Sequence, residues 1–394
     1  MRKNFQLLIL LLLSLPCISQ NKSLKEPVWE GPATDTIPVE FSNGSMIITL
    51  KIDQRSYRFI FDTGACLSIS ESLFERKKYT TLGAKPIQDA TGNISSSKSV
   101  FIPQFKLGKF TVSNCKADVL DYQKSSFFKC LDIDGVIGGD IFKTSLLEMD
   151  LKNHRLIISP TQALRPAASN ELPVQFDEQY NPFFNIRLKD HYTLNVLFDT
   201  GAEDLLTIPE YIFEESSHVC GYRILRKGRY SLAGAHNIPV KDSYRIASLD
   251  SLMLGKASLK SAEVCVVGRN DISILGLDIL QYGIVRLDYR NATISFTPYD
   301  QEMQFIPKEN FPGFSIGREN RMYIINGIES GSDADLCGIE VGMQVTKLAD
   351  MDLTTFSRNK DCRILRKNLA MMKKFTIEYL DHERRKRSCI LIRP

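Results

Sequence analysis

The sequence predicts a mainly β protein, two similar lobes followed by a small α+β domain, and three observations carry that expectation. A strand-like run closing on Asp-Thr-Gly-Ala occurs twice, as Phe59-Ile60-Phe61-Asp62-Thr63-Gly64-Ala65 and as Val196-Leu197-Phe198-Asp199-Thr200-Gly201-Ala202. Short β-type runs separated by turn residues fill the chain from Val39 to Pro298, and no long helical period interrupts them. After Pro298 strands alternate with a turn-helix pattern around Ser330-Gly331-Ser332-Asp333-Ala334-Asp335-Leu336.

The repeat extends beyond the first phrase. Val136-Ile137-Gly138 is matched by Ile274-Leu275-Gly276; Asp62 and Asp199 lie 137 residues apart, while the pairs Asp140/Asp278 and Asp150/Asp288 are each 138 apart. Landmarks in register to within one residue imply an internal duplication, with lobe 1 over residues 39–159 and lobe 2 over 174–298. Residues 160–173 carry three prolines and no apolar period, and are expected to be a linker.

Composition bounds the partners. With 43% hydrophobic and 24% charged residues in 394, the chain reads as a globular protein of two or three domains. A formal charge of +4, from 50 basic and 46 acidic residues, is too balanced to imply a nucleic-acid partner. The basic run Arg384-Arg385-Lys386-Arg387 reads as a solvated strand edge. Arg2 and Lys3 followed by the apolar stretch Leu7 to Leu15 suit a secretory signal peptide over residues 1–19; the stretch is too short to span a bilayer, so no transmembrane segment is expected. Cys17 offers a lipoprotein anchor as the less favoured alternative, since Ser14 and Pro16 depart from a lipobox. The expected destination is periplasmic or secreted. Residues 20–38, polar and proline-rich, are expected to form an exposed leader, with Trp29 available to pin it. Of the eight cysteines beyond Cys17, Cys115 with Cys130 and Cys220 with Cys265 are candidate disulfides, or else small buried hydrophobes.

A strand that ends in Asp-Thr-Gly delivers one carboxylate into a tight turn. Alone it reads as a capped turn; two copies in register favour two half-sites whose carboxylates meet, share a proton and can activate a water. The five histidines show no metal-ligand spacing, and there is no phosphate-binding glycine loop, so neither metal nor cofactor is expected. On the two Asp-Thr-Gly-Ala phrases and the two hydrophobic-hydrophobic-Gly phrases, residues from Val39 to Pro298 resemble a retropepsin-type aspartic protease with both halves in one chain. The resemblance implies a bilobal acid-protease pair of β-barrels acting on peptide or protein substrates, and a monomer with intramolecular lobe pairing is expected. It makes Asp62 and Asp199 the catalytic pair and gives Thr63, Gly64, Thr200 and Gly201 the task of supporting them. It also implies glycine-tipped lid hairpins at Thr91-Gly92 and around Gly234, and substrate contacts after each motif, where Cys66-Leu67 in one lobe faces Glu203-Asp204 in the other.

Residues 311–392 resemble a PDZ domain, with Gly313-Phe314-Ser315-Ile316 as the loop that would hold a peptide C-terminus. Ser315 stands where that loop usually has glycine, and Pro312 has no N–H to donate. Capture of a C-terminal peptide is favoured over a purely structural role. The expected function is therefore an exported aspartic endopeptidase; the alternative is a non-hydrolysing peptide-binding or scaffold protein on the same fold.

Overall fold

A computed structural model describes residues 26–42, 44–88, 94–122, 128, 131–160, 170–189, 191–233, 239–268, 271–306, 313–319, 322–355 and 372–392. The expected signal peptide with Cys17, the lid tips at Thr91-Gly92 and Gly234, and Cys130 lie outside those residues.

The protein is mainly β, and the order of elements in its first half recurs in its second. In lobe 1 the strand Ser45–Ile52 turns through Asp53 and Gln54, both at left-handed φ, into Arg55–Asp62, the geometry a two-residue hairpin requires. A short strand Ser68–Ser70 then runs into the helix Glu71–Lys77, whose first turn is capped by the Ser70 hydroxyl accepting from the Leu73 N–H at 3.2 Å. The hairpin Thr80–Gln88 with Ile94–Leu107 follows, then Phe110–Leu120. Last, Gly135–Gly138 returns to lie parallel to Arg55–Asp62, with Gly138 opposite Asp62, and antiparallel to Ser68–Ser70. In lobe 2, Ile274–Gly276 lies parallel to Tyr192–Asp199 with Gly276 opposite Asp199, and antiparallel to Leu206–Pro209. Between them come the helix Glu210–Cys220, the hairpin Arg223–Ala233 with Pro239–Leu254, and the strand Ala257–Val267.

The lobes are joined by one antiparallel sheet in the order Asp35–Pro38, Arg155–Ser159, Leu146–Asp150, Gly283–Asp288, Thr293–Pro298, Leu172–Phe176. Leu147 opposite Leu287 and Met149 opposite Val285 bury the seam, so a single hydrophobic core runs through both lobes. Residues from Phe314 onward build a second, separate core around Phe314, Ile325, Ile328, Val345, Ile377 and Leu391.

Three sequence expectations need correction. Residues 28–30 and 35–38 are not a free leader, although most of them are exposed: Val28–Glu30 pairs with Phe110–Leu120, and Asp35–Pro38 is an edge of the joining sheet. The physical reason is Trp29. Its indole N–H donates to the Ile141 carbonyl at 3.1 Å, and its ring packs on Phe110 and Phe142, the latter touching Phe61 next to Asp62. Residues 172–173, assigned to the linker, belong to the strand Leu172–Phe176; 161–169 lie outside the described residues. Cys115, Cys220 and Cys265 are free thiols. Cys115 is a fully buried hydrophobe of the lobe-1 core, while Cys220 sits by Tyr222 and Ser216, and Cys265 by Asp204. The disulfide among the described residues is Cys337–Cys389, in the C-terminal module.

Trp29→Ala should lower the unfolding free energy by about 2–4 kcal/mol, somewhat less than for a fully enclosed Trp because its ring is partly exposed. A denaturant midpoint that does not move would show that the N-terminal strand is peripheral to lobe 1.

Candidate active site

Each Asp-Thr-Gly turn is built from its own strand and locked by the other lobe. Phe59, Phe61 and Phe198 are buried, so the strands carrying Asp62 and Asp199 cannot shift lengthwise without leaving their cores. Asp62 Oδ1 accepts from the Gly64 N–H at 2.9 Å, and Asp199 Oδ1 from the Gly201 N–H at 2.7 Å, which fixes each carboxylate within its turn.

Four buried hydrogen bonds then cross between the lobes. Thr63 Oγ1 donates to the Phe198 carbonyl at 2.7 Å and accepts from the Thr200 N–H at 3.0 Å. Thr200 Oγ1 donates to the Phe61 carbonyl at 3.0 Å and accepts from the Thr63 N–H at 3.0 Å. The result brings the Asp62 and Asp199 carboxylates together, each against the glycine of the opposite turn, close enough to share a proton. Gly64 and Gly201 are required by this closeness: a Cβ on Gly64 would land on the Asp199 carboxylate, and one on Gly201 on that of Asp62.

The hydrophobic-hydrophobic-Gly phrases support the turns from beneath. The Gly139 N–H donates to the Ala65 carbonyl at 3.1 Å, and the Leu277 N–H to the Ala202 carbonyl at 2.8 Å. The Ala65 carbonyl occupies the space a Gly138 Cβ would need, and the Asp204 and Ala202 carbonyls that of a Gly276 Cβ.

Burial first, and then the neighbouring Asp199 charge, raise Asp62 well above the usual carboxylate range. Burial raises Asp199 too, opposed by the hydrogen bonds it accepts from Asp62 and from the Gly201 and Ala202 N–H groups. The proton belongs to the pair. Such a site can present one carboxylic acid and one carboxylate to the same small molecule.

Residues 48–141, the stretch that holds Asp62 and its supporting strand, match the family model of aspartyl proteases. That match supports a protease function for the chain, and a protease acts on peptides. No curated protein matches it.

The other expected site residues are placed as follows. Glu203 is exposed, with its carboxylate against Gly44 of lobe 1. The Asp204 carboxylate accepts from the Cys265 thiol. The Cys66 thiol faces Gln179 of lobe 2 at 3.8–3.9 Å, and burial raises its pKa. Phe314, Ser315 and Ile316 are strand residues, and Gly313 precedes them at φ +77°, where a side chain would strike Ser332. Asp150 and Asp288 organise turns, each accepting twice from the asparagine three residues on.

Two residues near the pair were missed. Asp140 is half-buried, accepts from the Leu67 N–H at 2.8 Å and so tethers the loop after Cys66; loss of solvent around it pushes its carboxyl up to about 7. Tyr289, from lobe 2, reaches Gly139 of lobe 1 with a hydroxyl that has no hydrogen-bond partner among the described residues. Comparing the halves at a spacing of 138 offers a signal for Tyr289, since its counterpart is Leu151.

Thr63→Val would leave the Phe198 carbonyl and Thr200 N–H unpaired in a dry seam and should cost about 2–4 kcal/mol of stability by denaturant unfolding. Thr63→Ser, which keeps the hydroxyl, should lose less than half of that. The aspartates carry a pH signature as well. A carboxyl raised in the folded state contributes stability below its unfolded pKa and loses it as pH climbs through the folded value. Asp62→Asn should therefore be more stable than wild type at pH 7 by about 1–3 kcal/mol, with the gain fading toward pH 4. Thermal unfolding across that range checks it, and a pH-independent difference would mean the pair is not raised.

Proposed function

We propose that the protein is an exported, single-chain aspartic endopeptidase of retropepsin type, internally duplicated, in which Asp62 and Asp199 hydrolyse peptide bonds. The observation that carries this reading is the close approach of two half-buried carboxylates, each anchored to its own glycine N–H, each lying against the glycine of the other turn, and both held by the threonine lock. A water bound between them loses a proton to the carboxylate as its oxygen attacks the substrate carbonyl. The carboxylic acid protonates the carbonyl oxygen, giving a gem-diol with no covalent bond to the protein. In collapse of the gem-diol the C–N bond breaks, the proton taken from water passes to the leaving amine, and a gem-diol hydroxyl gives its proton to the other carboxylate, so the pair returns to one acid and one carboxylate.

The hairpins Thr80–Gln88 with Ile94–Leu107 and Arg223–Ala233 with Pro239–Leu254 act as lids over an extended peptide, as their positions in the two lobes suggest. The C-terminal module is read as PDZ-like, adding a peptide at the edge of Phe314–Glu319, which pairs among the described residues with Met322–Glu329 alone. The Cys337–Cys389 disulfide supports an oxidising destination, periplasmic or secreted.

The test is peptide-library cleavage by the mature protein beside Asp62→Asn, Asp199→Asn and the double variant. Each single variant should lose at least about a thousandfold in kcat, and the double should be little worse, because the two residues act as a unit. A single variant that retains most of its turnover would overturn the assignment.

A further inference from the structure

The two lid hairpins end differently at their outer edges. In lobe 1, Thr80–Gln88 pairs among the described residues with Ile94–Leu107 and with nothing else. In lobe 2, the equivalent strand Arg223–Ala233 pairs with Pro239–Leu254 on one side and with Met322–Glu329 of the C-terminal module on the other. The second pairing is antiparallel, with Gly228 opposite Glu329, Arg229 opposite Ile328 and Tyr230 opposite Gly327.

The contact is built from several features. The Ser330 N–H donates to the Lys227 carbonyl at 2.8 Å, extending the ladder by one bond. Arg229 Nη2 lies 3.1 Å from Asp335 Oδ1, beside the helix Asp333–Leu336. Gly228 is buried in the middle of the three strands; a Cβ there would run into the Ile328 carbonyl and the Tyr244 ring. Glycine weakens a strand interior, so its presence here is explained by the approach of the module's backbone. The segment ahead of the module is held to lobe 2: Met303–Gln304 runs parallel to Leu259–Lys260, and the Phe305 N–H donates to the Lys260 carbonyl at 2.9 Å.

We propose that the C-terminal module is a fixed part of the lobe-2 lid, with Gly228 and Arg229 on the hairpin and Ile328 and Asp335 on the module as positioning residues that set how that lid meets the peptide. The lobe-1 lid, with an open edge, is then the one that moves to admit substrate. An open edge has fewer backbone bonds to break on opening, and a shared sheet has more. This inference rests on reading both hairpins as lids of a peptidase.

The test uses the full chain and two variants. Gly228→Ala places a methyl group against the Ile328 carbonyl, and Ser330→Pro removes the donor to Lys227 without touching the hairpin; if the first fails to fold, the second decides. By amide hydrogen exchange, Arg223–Ala233 in wild type should be at least about tenfold more protected than Thr80–Gln88, and either variant should erase that difference while Phe59–Gly64 stays protected. In peptide cleavage, KM should rise about tenfold with kcat changed less than about threefold and the pH profile unmoved, since the aspartates are untouched. Equal protection of the two hairpins in wild type, or variants with unchanged KM, would overturn the proposal. A wild type that cleaves no better than Asp62→Asn overturns the peptidase reading and the positioning role with it, whereas the exchange asymmetry alone decides whether the shared sheet exists.

Discussion

Four hydrogen bonds between Thr63, Thr200 and the carbonyls of Phe61 and Phe198 are the constraint on which the rest depends. Each lobe contributes one carboxylate to the pair, and either alone does little chemistry of its own. The lock reaches across the seam from both sides and satisfies two N–H groups and two carbonyls that would otherwise be stranded away from water. Because the bonded atoms flank Asp62 and Asp199, the same contact that joins the lobes sets the separation of the carboxylates. Stability and site geometry are the same set of bonds here.

Everything around the lock is arranged so that backbones can come close. Gly64 and Gly201 leave room for the opposing carboxylates, and Gly138 and Gly276 leave room for the carbonyls of the turns above them. The burial that follows raises both carboxyls and keeps a proton in the pair. The joining sheet completes the frame, pairing Leu146–Asp150 directly with Gly283–Asp288, so that rotation of one lobe against the other would break a ladder and expose its apolar seam.

The lobes are alike at the center and different at the edges. Cys66 faces Gln179, whereas Glu203 lies against Gly44. Asp140 tethers the Leu67 N–H, whereas Asp278 accepts from the Gln281 side chain. The outer strand of one hairpin is open, and that of the other is paired with the C-terminal module. Repetition falls at the paired carboxylates and the turns that hold them, and divergence falls at the outer edges of the lobes.

The sequence alone determined the pieces that are local or repeated. Apolar alternation into Asp-Thr-Gly, the matched Val136-Ile137-Gly138 and Ile274-Leu275-Gly276 phrases, and the 137–138 residue offset were legible, because strand burial and glycine turns are written in neighbouring residues. Trp29 was visible as the only tryptophan, yet its segment reads as polar; only the lobe-1 core shows that its ring fills the space beside Phe142. Asp140 reads as a turn residue until the Leu67 N–H, 73 positions away, is folded onto it. Cys220 and Cys265 looked like a pair because cysteines carry no record of their neighbours, whereas Cys337 and Cys389 are joined only because the C-terminal strand folds back onto the helix end. Gly228 is one glycine in a strand until the carbonyl of Ile328, one hundred positions on, takes the place of its missing side chain. What the tertiary structure decided, in each case, is a contact between residues distant in the chain, and no local pattern encodes which distant backbone will arrive.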